Sequence, residues 1–144
     1  MSKAEKSTVD SFDLGSFDTK TASEAGQEFE IIHPTHGGTG FFITTLGTHS
    51  QRVQTELKRI QNRANAARKG TVRRGEEEEG AQFLADVTTS WRSADRQGKE
   101  RPVTLNGEVV EFSNANAKRM YLEFPLIAGQ VTEHVLDSAN FLKG

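Results

Sequence analysis

The segment TLNGEVVEFSNANAKRMYLEFP, residues 104–125, constrains the fold more than any other part of this chain. Asn106-Gly107 predicts a two-residue β-hairpin turn, because both central positions of a type I′ turn need a positive φ. Ser113 has the hydroxyl of a helix N-cap. Pro125 disfavours helix at the residue before it and suits the first turn of a new helix. The segment therefore predicts a small hairpin, a helix, a bend and a second helix.

The two helices around this bend each have one apolar face. The first face consists of residues at i, i+3, i+4 and i+7, namely Ala117, Met120, Tyr121 and Phe124. The second face recurs at three- and four-residue steps and consists of Ile127, Val131, Val135, Ala139 and Leu142.

An earlier part of the chain predicts a β-hairpin. The stretches EFEIIHP (28–34) and FFITTLG (41–47) are rich in aromatic and β-branched residues, and THGGTG between them supplies three glycines for a turn. Because a two-stranded unit is marginal alone, we expect a helix to cover its apolar face.

Two further helices are predicted between the hairpins. Thr48 and Gln51 form a capping box for a helix that runs to about Lys69. The run Glu76–Glu79 suits the start of the next helix, because negative charge complements the helix dipole. The apolar stripe of the first is Val53, Leu57, Ile60, Ala64 and Ala67, and that of the second is Phe83, Leu84, Val87 and Trp91. After Trp91 the polar run RSADRQGKERP is predicted to be a loop.

These elements predict one α+β domain, mostly helical, over residues 28–144. Residues 1–27 mix Ser, Thr, Asp, Glu and Lys with the isolated Phe12, Leu14 and Phe17, and they predict a flexible N-terminal arm whose phenylalanines could dock on a partner. The absence of cysteine and of any apolar run of membrane-spanning length predicts a soluble, cytoplasmic protein.

No motif indicates catalysis, a cofactor or a metal. His33 and His36 are separated by Pro34, which prevents a helical pair, and no third ligand is at suitable spacing. The HGGTG stretch lacks the Gly-Lys-Ser/Thr ending of a P-loop. His134 has no partner for nucleophilic chemistry that the sequence can place. We therefore expect a protein that is not an enzyme and has no cofactor.

Charge is strongly segregated along the chain. Residues 52–74 hold eight Lys or Arg against one Glu, and four glutamates follow at 76–79. A basic helix can contact phosphates, but the chain is slightly acidic overall and has no nucleic-acid-binding signature. The pattern favours a solvated face or a protein contact, including contact with another copy, over nucleic acid.

The residues also resemble a family of bacteriophage tail assembly chaperones and minor tail proteins. The resemblance spans roughly residues 28–142 and depends on the order of its elements. These are EIIHPTHGGTGFFITTLGTHS before a long polar helix, FLADVTTSW, LNGE, FSNANAKRMYLEFPLIAGQV and the closing SANFLKG. Gly129 and the helix start THS depart from the family pattern.

The resemblance implies a role without enzymatic activity in tail morphogenesis. Such chaperones bind the tape-measure protein, keep it soluble and help to recruit tail-tube subunits in the host cytoplasm. The candidate contact residues are Met120, Tyr121, Phe124, Ile127 and Val131, supplemented by the basic Lys58, Arg59 and Arg63. The alternatives are a structural subunit retained in the virion tail and a nucleic-acid-binding protein that uses the basic helix. The apolar candidates could also be core residues, above all Tyr121 and Phe124.

Overall fold

The computed structural model describes residues 13–67 and 76–142, and the predicted α+β class is confirmed there. The described helices are α1 (Lys20–Ala25), α2 (Gln51–Ala67), α3 (Glu76–Val87), α4 (Asn114–Glu123) and α5 (Pro125–Leu136). The strands are β1 (Gln27–His33), β2 (Gly37–Thr45), β3 (Thr88–Ala94), β4 (Glu100–Arg101), β5 (Thr104–Leu105) and β6 (Glu108–Val109). Two 3-10 turns cover Leu14–Phe17 and Ser138–Phe141.

The predicted N-terminal hairpin forms half of a larger sheet. Strands β1 and β2 pair antiparallel, and β3 and β4 extend the sheet in the order β1-β2-β3-β4. A bulge interrupts the register between Glu30 and Ile32, and the Thr39 hydroxyl donates to the Ile31 carbonyl at 2.7 Å. The sheet therefore has four strands where the sequence predicted two.

The prediction of helix through Trp91 is wrong. Helix α3 ends at Val87, and Trp91 lies on β3 opposite Ile43 of β2. Thr88 and Thr89 are β-branched, which suits the pleated sheet better than a helix. The predicted loop after Trp91 is likewise partly strand, because β3 continues to Ala94 and β4 pairs with it.

The start of α2 differs from the predicted Thr48 cap. The Ser50 hydroxyl accepts a hydrogen bond from the Val53 amide at 3.1 Å, which makes Ser50 the capping side chain. A carboxylate oxygen of Glu24 accepts from the Gln51 amide at 2.7 Å. A tertiary contact therefore satisfies a helix donor that the sequence assigned to a local capping box.

The second hairpin and the bend form as predicted. Asn106 and Gly107 have φ of 53° and 88°, as a type I′ turn requires. The Ser113 hydroxyl accepts from the Asn116 amide at 3.1 Å, and Pro125 opens α5. Helix α5 ends at Leu136, however, so Ala139 and Leu142 do not continue its apolar face. Phe141 of the last 3-10 turn is fully buried instead.

The predicted arm contains ordered elements in its described part. Residues 1–12 lie outside the described residues. Helix α1 buries Ala22 and Ser23, and the Gly47 amide donates to the Ser23 carbonyl at 2.9 Å. Residues 20–25 therefore pack on the domain, which differs from the flexible arm expected over 1–27.

One apolar core joins the sheet to the helices. Its fully buried side chains include Ile43 of β2, Val53 of α2, Val87 of α3 and Val131 of α5. Among the described residues no helix is both long enough and apolar enough to cross a membrane.

Candidate functional site

An open cleft of about 490 Å³ lies between the sheet, the second hairpin and the bend that joins α4 to α5. We call it the central cleft. Its lining as a whole is mostly apolar, with charged groups from β4 and α4. The lining residues that matter below are Phe41, Trp91, Arg101, Arg119, Met120, Glu123, Phe124 and Ile127.

Aromatic side chains support the sheet side of the central cleft. Trp91 meets Phe41 at a ring-centroid distance of 5.9 Å and Phe112 at 5.2 Å, both in edge contacts. Such geometry places the positive edge of one ring near the negative face of the next. Trp91 is only partly buried, so one side of the indole is accessible from the cleft.

Arg101 lies at the β4 end of the cleft and is fixed there by two hydrogen bonds. Its Nε donates to the Ser93 hydroxyl at 2.9 Å, and a terminal nitrogen donates to the Thr39 carbonyl at 2.8 Å. The backbone of β2 passes very close to this point. A Cβ on Gly40 would lie 2.3 Å from the Ala94 carbonyl oxygen, and Gly40 has a φ of 78°. Glycine is therefore required beside the cleft.

Helix α4 is fixed to the core by a buried hydroxyl pair. The Thr88 hydroxyl donates to the Leu84 carbonyl at 2.7 Å, and the Tyr121 hydroxyl lies 2.7 Å from the same Thr88 oxygen. Thr88 therefore links the end of α3 to α4 through two buried hydroxyls, either of which can donate to the other. Burial raises the pKa of Tyr121 to about 12, and the hydrogen bond with Thr88 partly opposes that shift.

A polar network aligns the start of α4 with α3. Gln82 donates to Asp86 at 2.9 Å and to the side-chain oxygen of Asn114 at 3.0 Å. Asn114 in turn donates to Asp86 at 3.0 Å. Asn116 donates to the Glu111 carbonyl at 2.8 Å, which ties α4 to the chain leaving the hairpin. The helix wall of the cleft is therefore held from two sides.

The five apolar candidate residues fall into two groups. Met120, Phe124 and Ile127 line the central cleft, and Phe124 is 38% exposed. Tyr121 and Val131 are buried in the core, so in this conformation they cannot contact a partner directly. Both belong to the apolar core.

Two of the three basic candidates, Lys58 and Arg59, lie outside the cleft lining. Lys58 and Arg59 are exposed on α2, whereas the Arg63 side chain is outside the described part of the structure. Arg59 contacts Glu56 at 2.6 Å and Glu79 at 3.9 Å. The hydrogen bond to Glu56 raises the pKa of Arg59. Much of the Arg59 charge is therefore compensated within the chain, which weakens it as a phosphate contact.

Comparisons with known proteins leave the family open. No protein-family model matches this chain, and neither curated proteins nor solved structures gave a significant match. The chemistry of the site therefore follows from its own residues.

Three of the four histidines make aromatic contacts, at two places in the fold. His33 and His36 stack with ring centroids 4.4 Å apart in the first hairpin turn, and the Thr35 amide donates to His33 Nδ1 at 3.1 Å. His134 packs between Phe29 and Phe141. Over residues 13–67 and 76–142 there is no group of three or more His, Asp or Glu side chains placed to hold a metal ion.

Sequence reasoning missed the sheet side of the cleft. The sequence pattern predicts a strand at Phe41, but it places Trp91 on a helix and Arg101 in a loop. The signal that could have found this wall is the stretch TTSWRS, which contains two β-branched residues and a tryptophan.

Proposed function

We propose that this protein is a bacteriophage tail assembly chaperone without enzymatic activity, whose central cleft binds an apolar segment of the tape-measure protein. Such binding would keep the tape-measure protein soluble until tail-tube subunits are recruited. The sequence resemblance over residues 28–142 supports the family and the partners. The observation that carries the proposal is the open, largely apolar cleft that contains Met120, Phe124 and Ile127.

The cleft has the chemistry of a site for an amphipathic segment. Aromatic and aliphatic side chains form its two walls, and Arg119 and Glu123 lie on α4 beside them. A helix presenting apolar side chains at i and i+3 or i+4 can bury those anchors while its polar face stays in water. With room for a few side chains only, the contact is small, which suits a chaperone that must release its client.

The test is coexpression with the tape-measure protein encoded in the same genome. Phe124→Asp places a carboxylate in the cleft, and we expect the soluble yield of the tape-measure protein to fall by at least about fivefold because that charge must lose water on binding. Phe124 is the N-cap of α5 and makes no side-chain capping bond, so aspartate there can cap the helix and preserve the fold.

Leu126→Asp is the matched control. Leu126 is 65% exposed and lies two residues further along, outside the cleft lining. The same charge there is expected to leave the soluble yield unchanged. Equal yields from wild type and a folded Phe124→Asp variant would refute the proposed binding site.

A structural subunit retained in the virion is the second candidate. It is favoured by the exposure of Leu14 and Phe17, which are 78% and 68% accessible on the first 3-10 turn. Side chains of this kind become buried when subunits pack against neighbours. Mass spectrometry of purified particles separates the two, because abundant peptides of this chain in finished tails would contradict a chaperone that leaves during assembly.

A further inference from the structure

The four-stranded sheet has two edge strands over the described residues, and they differ in length. Strand β4 has two residues and is followed by Pro102, which has no backbone N–H to offer another strand. Strand β1 has seven residues, and no other strand of the described chain pairs with its outer side. An edge strand of that length can pair with a strand of another chain unless something covers it.

The side chain of Gln130 on α5 occupies the outer side of β1. Its oxygen accepts from the Ile32 amide at 2.8 Å, and its nitrogen donates to the Ile32 carbonyl at 2.7 Å. In an antiparallel ladder, a residue of the neighbouring strand makes the same two bonds through its own backbone. The Gln130 side chain therefore takes the place of a strand residue, and both backbone groups of Ile32 are occupied.

A second side chain of α5 contacts β1 one helical turn further on. The His134 ring stacks on Phe29, with ring centroids 4.0 Å apart and an interplanar angle of 19°. The bulge in β1 lies between Glu30 and Ile32, so His134 contacts the strand before the bulge and Gln130 bonds it beyond the bulge. Helix α5 therefore contacts the edge strand on both sides of the irregularity.

The carboxylates of β1 do little to repel a second copy of the strand. The Glu28 carboxylate accepts two hydrogen bonds from Arg92, at 2.7 and 2.9 Å. The Glu30 carboxylate accepts from the Gly40 amide of β2 at 2.8 Å and is therefore directed toward the neighbouring strand. Because both groups have partners within the chain, repulsion between like charges is a weak protection for this edge.

We propose that Gln130 is an intramolecular cap that keeps the β1 edge from pairing with the β1 edge of a second copy. Two copies of one strand can pair antiparallel about a two-fold axis, so that each offers the other the same amide and carbonyl groups. The cap withholds the Ile32 groups from that ladder. It is separate from the central cleft, whose lining does not include Gln130.

Gln130→Met tests the cap by sedimentation velocity over a range of protein concentrations. Methionine is a good helix former of similar length, but it lacks the amide that makes both bonds. Gln130→Met is expected to self-associate at least about tenfold more tightly than wild type, because the edge is then open. Gln51→Met is the matched control and is expected to behave as wild type, since Gln51 is an exposed glutamine of α2.

Ile32→Lys shows whether the association uses the β1 edge. The Ile32 side chain is 47% exposed, so lysine there reaches water and places a charge that opposes strand pairing. Added to Gln130→Met, it is expected to restore the wild-type degree of association. The proposal would be overturned by a Gln130→Met variant that associates no more than wild type or Gln51→Met. Association that Ile32→Lys leaves unchanged would overturn it too.

Amide hydrogen exchange measures the cap in the wild-type chain and does not depend on the folding of a variant. The Ile32 amide is expected to exchange at least about tenfold more slowly than an exposed amide without a hydrogen bond. Exchange at the unprotected rate would show that Gln130 does not close the edge. Met120, Phe124 and Ile127 are unchanged in Gln130→Met, so failure of the cap leaves the proposed tape-measure binding intact, and the reverse also holds.

Discussion

Trp91 and Phe112 meet edge to face, with ring centroids 5.2 Å apart and an interplanar angle of 81°. The contact joins β3 to the chain segment that leads from the second hairpin into α4, so it fixes two walls of the central cleft relative to each other. Because Trp91 is the single tryptophan of the chain, its fluorescence reports on this site without interference.

Phe112→Ala is expected to loosen this junction. The loss of the aromatic contact and of a partly buried side chain costs roughly 1–3 kcal/mol of unfolding free energy. Water then reaches the indole, and Trp91 emission shifts to longer wavelength in the folded state. Denaturant titration and emission spectra measure the two effects. Phe112→Leu keeps most of the apolar volume and is expected to show a smaller loss, and an unchanged spectrum in Phe112→Ala would contradict the contact.

Tyr121 makes the unfolding free energy depend on pH in the alkaline range. Its pKa is raised to about 12 in the folded chain, above the ordinary value of 10.0, because burial disfavours tyrosinate. The stabilisation is therefore fully present below pH 10 and is lost as pH rises toward 12, with a maximum contribution of about 2–3 kcal/mol. Since this is the only tyrosine, tyrosinate absorbance follows its titration directly.

Tyr121→Phe is the control for that titration. It removes the alkaline dependence and costs about 1 kcal/mol near neutral pH, because Thr88 still donates to Leu84 and no buried donor loses its partner. Titration of Tyr121 at its ordinary pKa in the folded protein would contradict its buried environment.

His134 makes stability depend on acidic pH. Burial lowers its pKa, while a backbone hydrogen bond with Gln27 and the nearby Asp137 oppose the shift. Its stabilising contribution is therefore present above the ordinary value of 6.5 and is lost as pH falls through the lower folded-state pKa. We expect the denaturant midpoint of wild type to drop more than that of His134→Leu between about pH 7.5 and pH 5. An equal drop in the midpoint of both proteins would show that His134 is not the source of the loss of stability at acidic pH.

Replacing either of two helix glycines by alanine is expected to stabilise the folded protein. Gly80 in α3 and Gly129 in α5 have open space where a Cβ would project, with no contact within 4 Å beyond their own helix, and neither has a positive φ. Replacement of either by alanine is expected to raise the unfolding free energy by about 0.5–1 kcal/mol. Gly40→Ala is the opposite case, because its Cβ would collide with the Ala94 carbonyl oxygen. Denaturant titration of the three variants measures whether the unfolding free energy rises or falls in each.

The sequence predicted best where the backbone is set by local chemistry. Asn106-Gly107, Ser113 and Pro125 each limit φ or satisfy a donor within a few residues, and each forms the predicted element. Long-range contacts decided the positions that were missed. Trp91 fits the helical spacing of the preceding apolar residues, but its strand pairs with the distant strand that contains Ile43.

For the same reason, only the helix wall of the candidate site could be predicted from the sequence. Met120, Phe124 and Ile127 belong to adjacent helical segments, and their periodicity is visible in the sequence. Predicting the opposite wall requires knowledge of the sheet order, which places Phe41, Trp91 and Arg101 on neighbouring strands.

Gln130 shows how specific long-range pairing is. Its side-chain oxygen accepts from the Ile32 amide at 2.8 Å, and its side-chain nitrogen donates to the Ile32 carbonyl at 2.7 Å.

Trp91 emission during titration with the purified tape-measure protein tests the central claim most directly. An apolar segment that enters the cleft covers the exposed side of the indole, so we predict a shift to shorter wavelength in wild type and in Leu126→Asp. Phe124→Asp is predicted to show no shift over the same range. Calorimetry measures binding of the tape-measure protein independently. Equally tight binding to wild type and to Phe124→Asp, without a change in Trp91 emission, would contradict the assignment of the central cleft as the binding site.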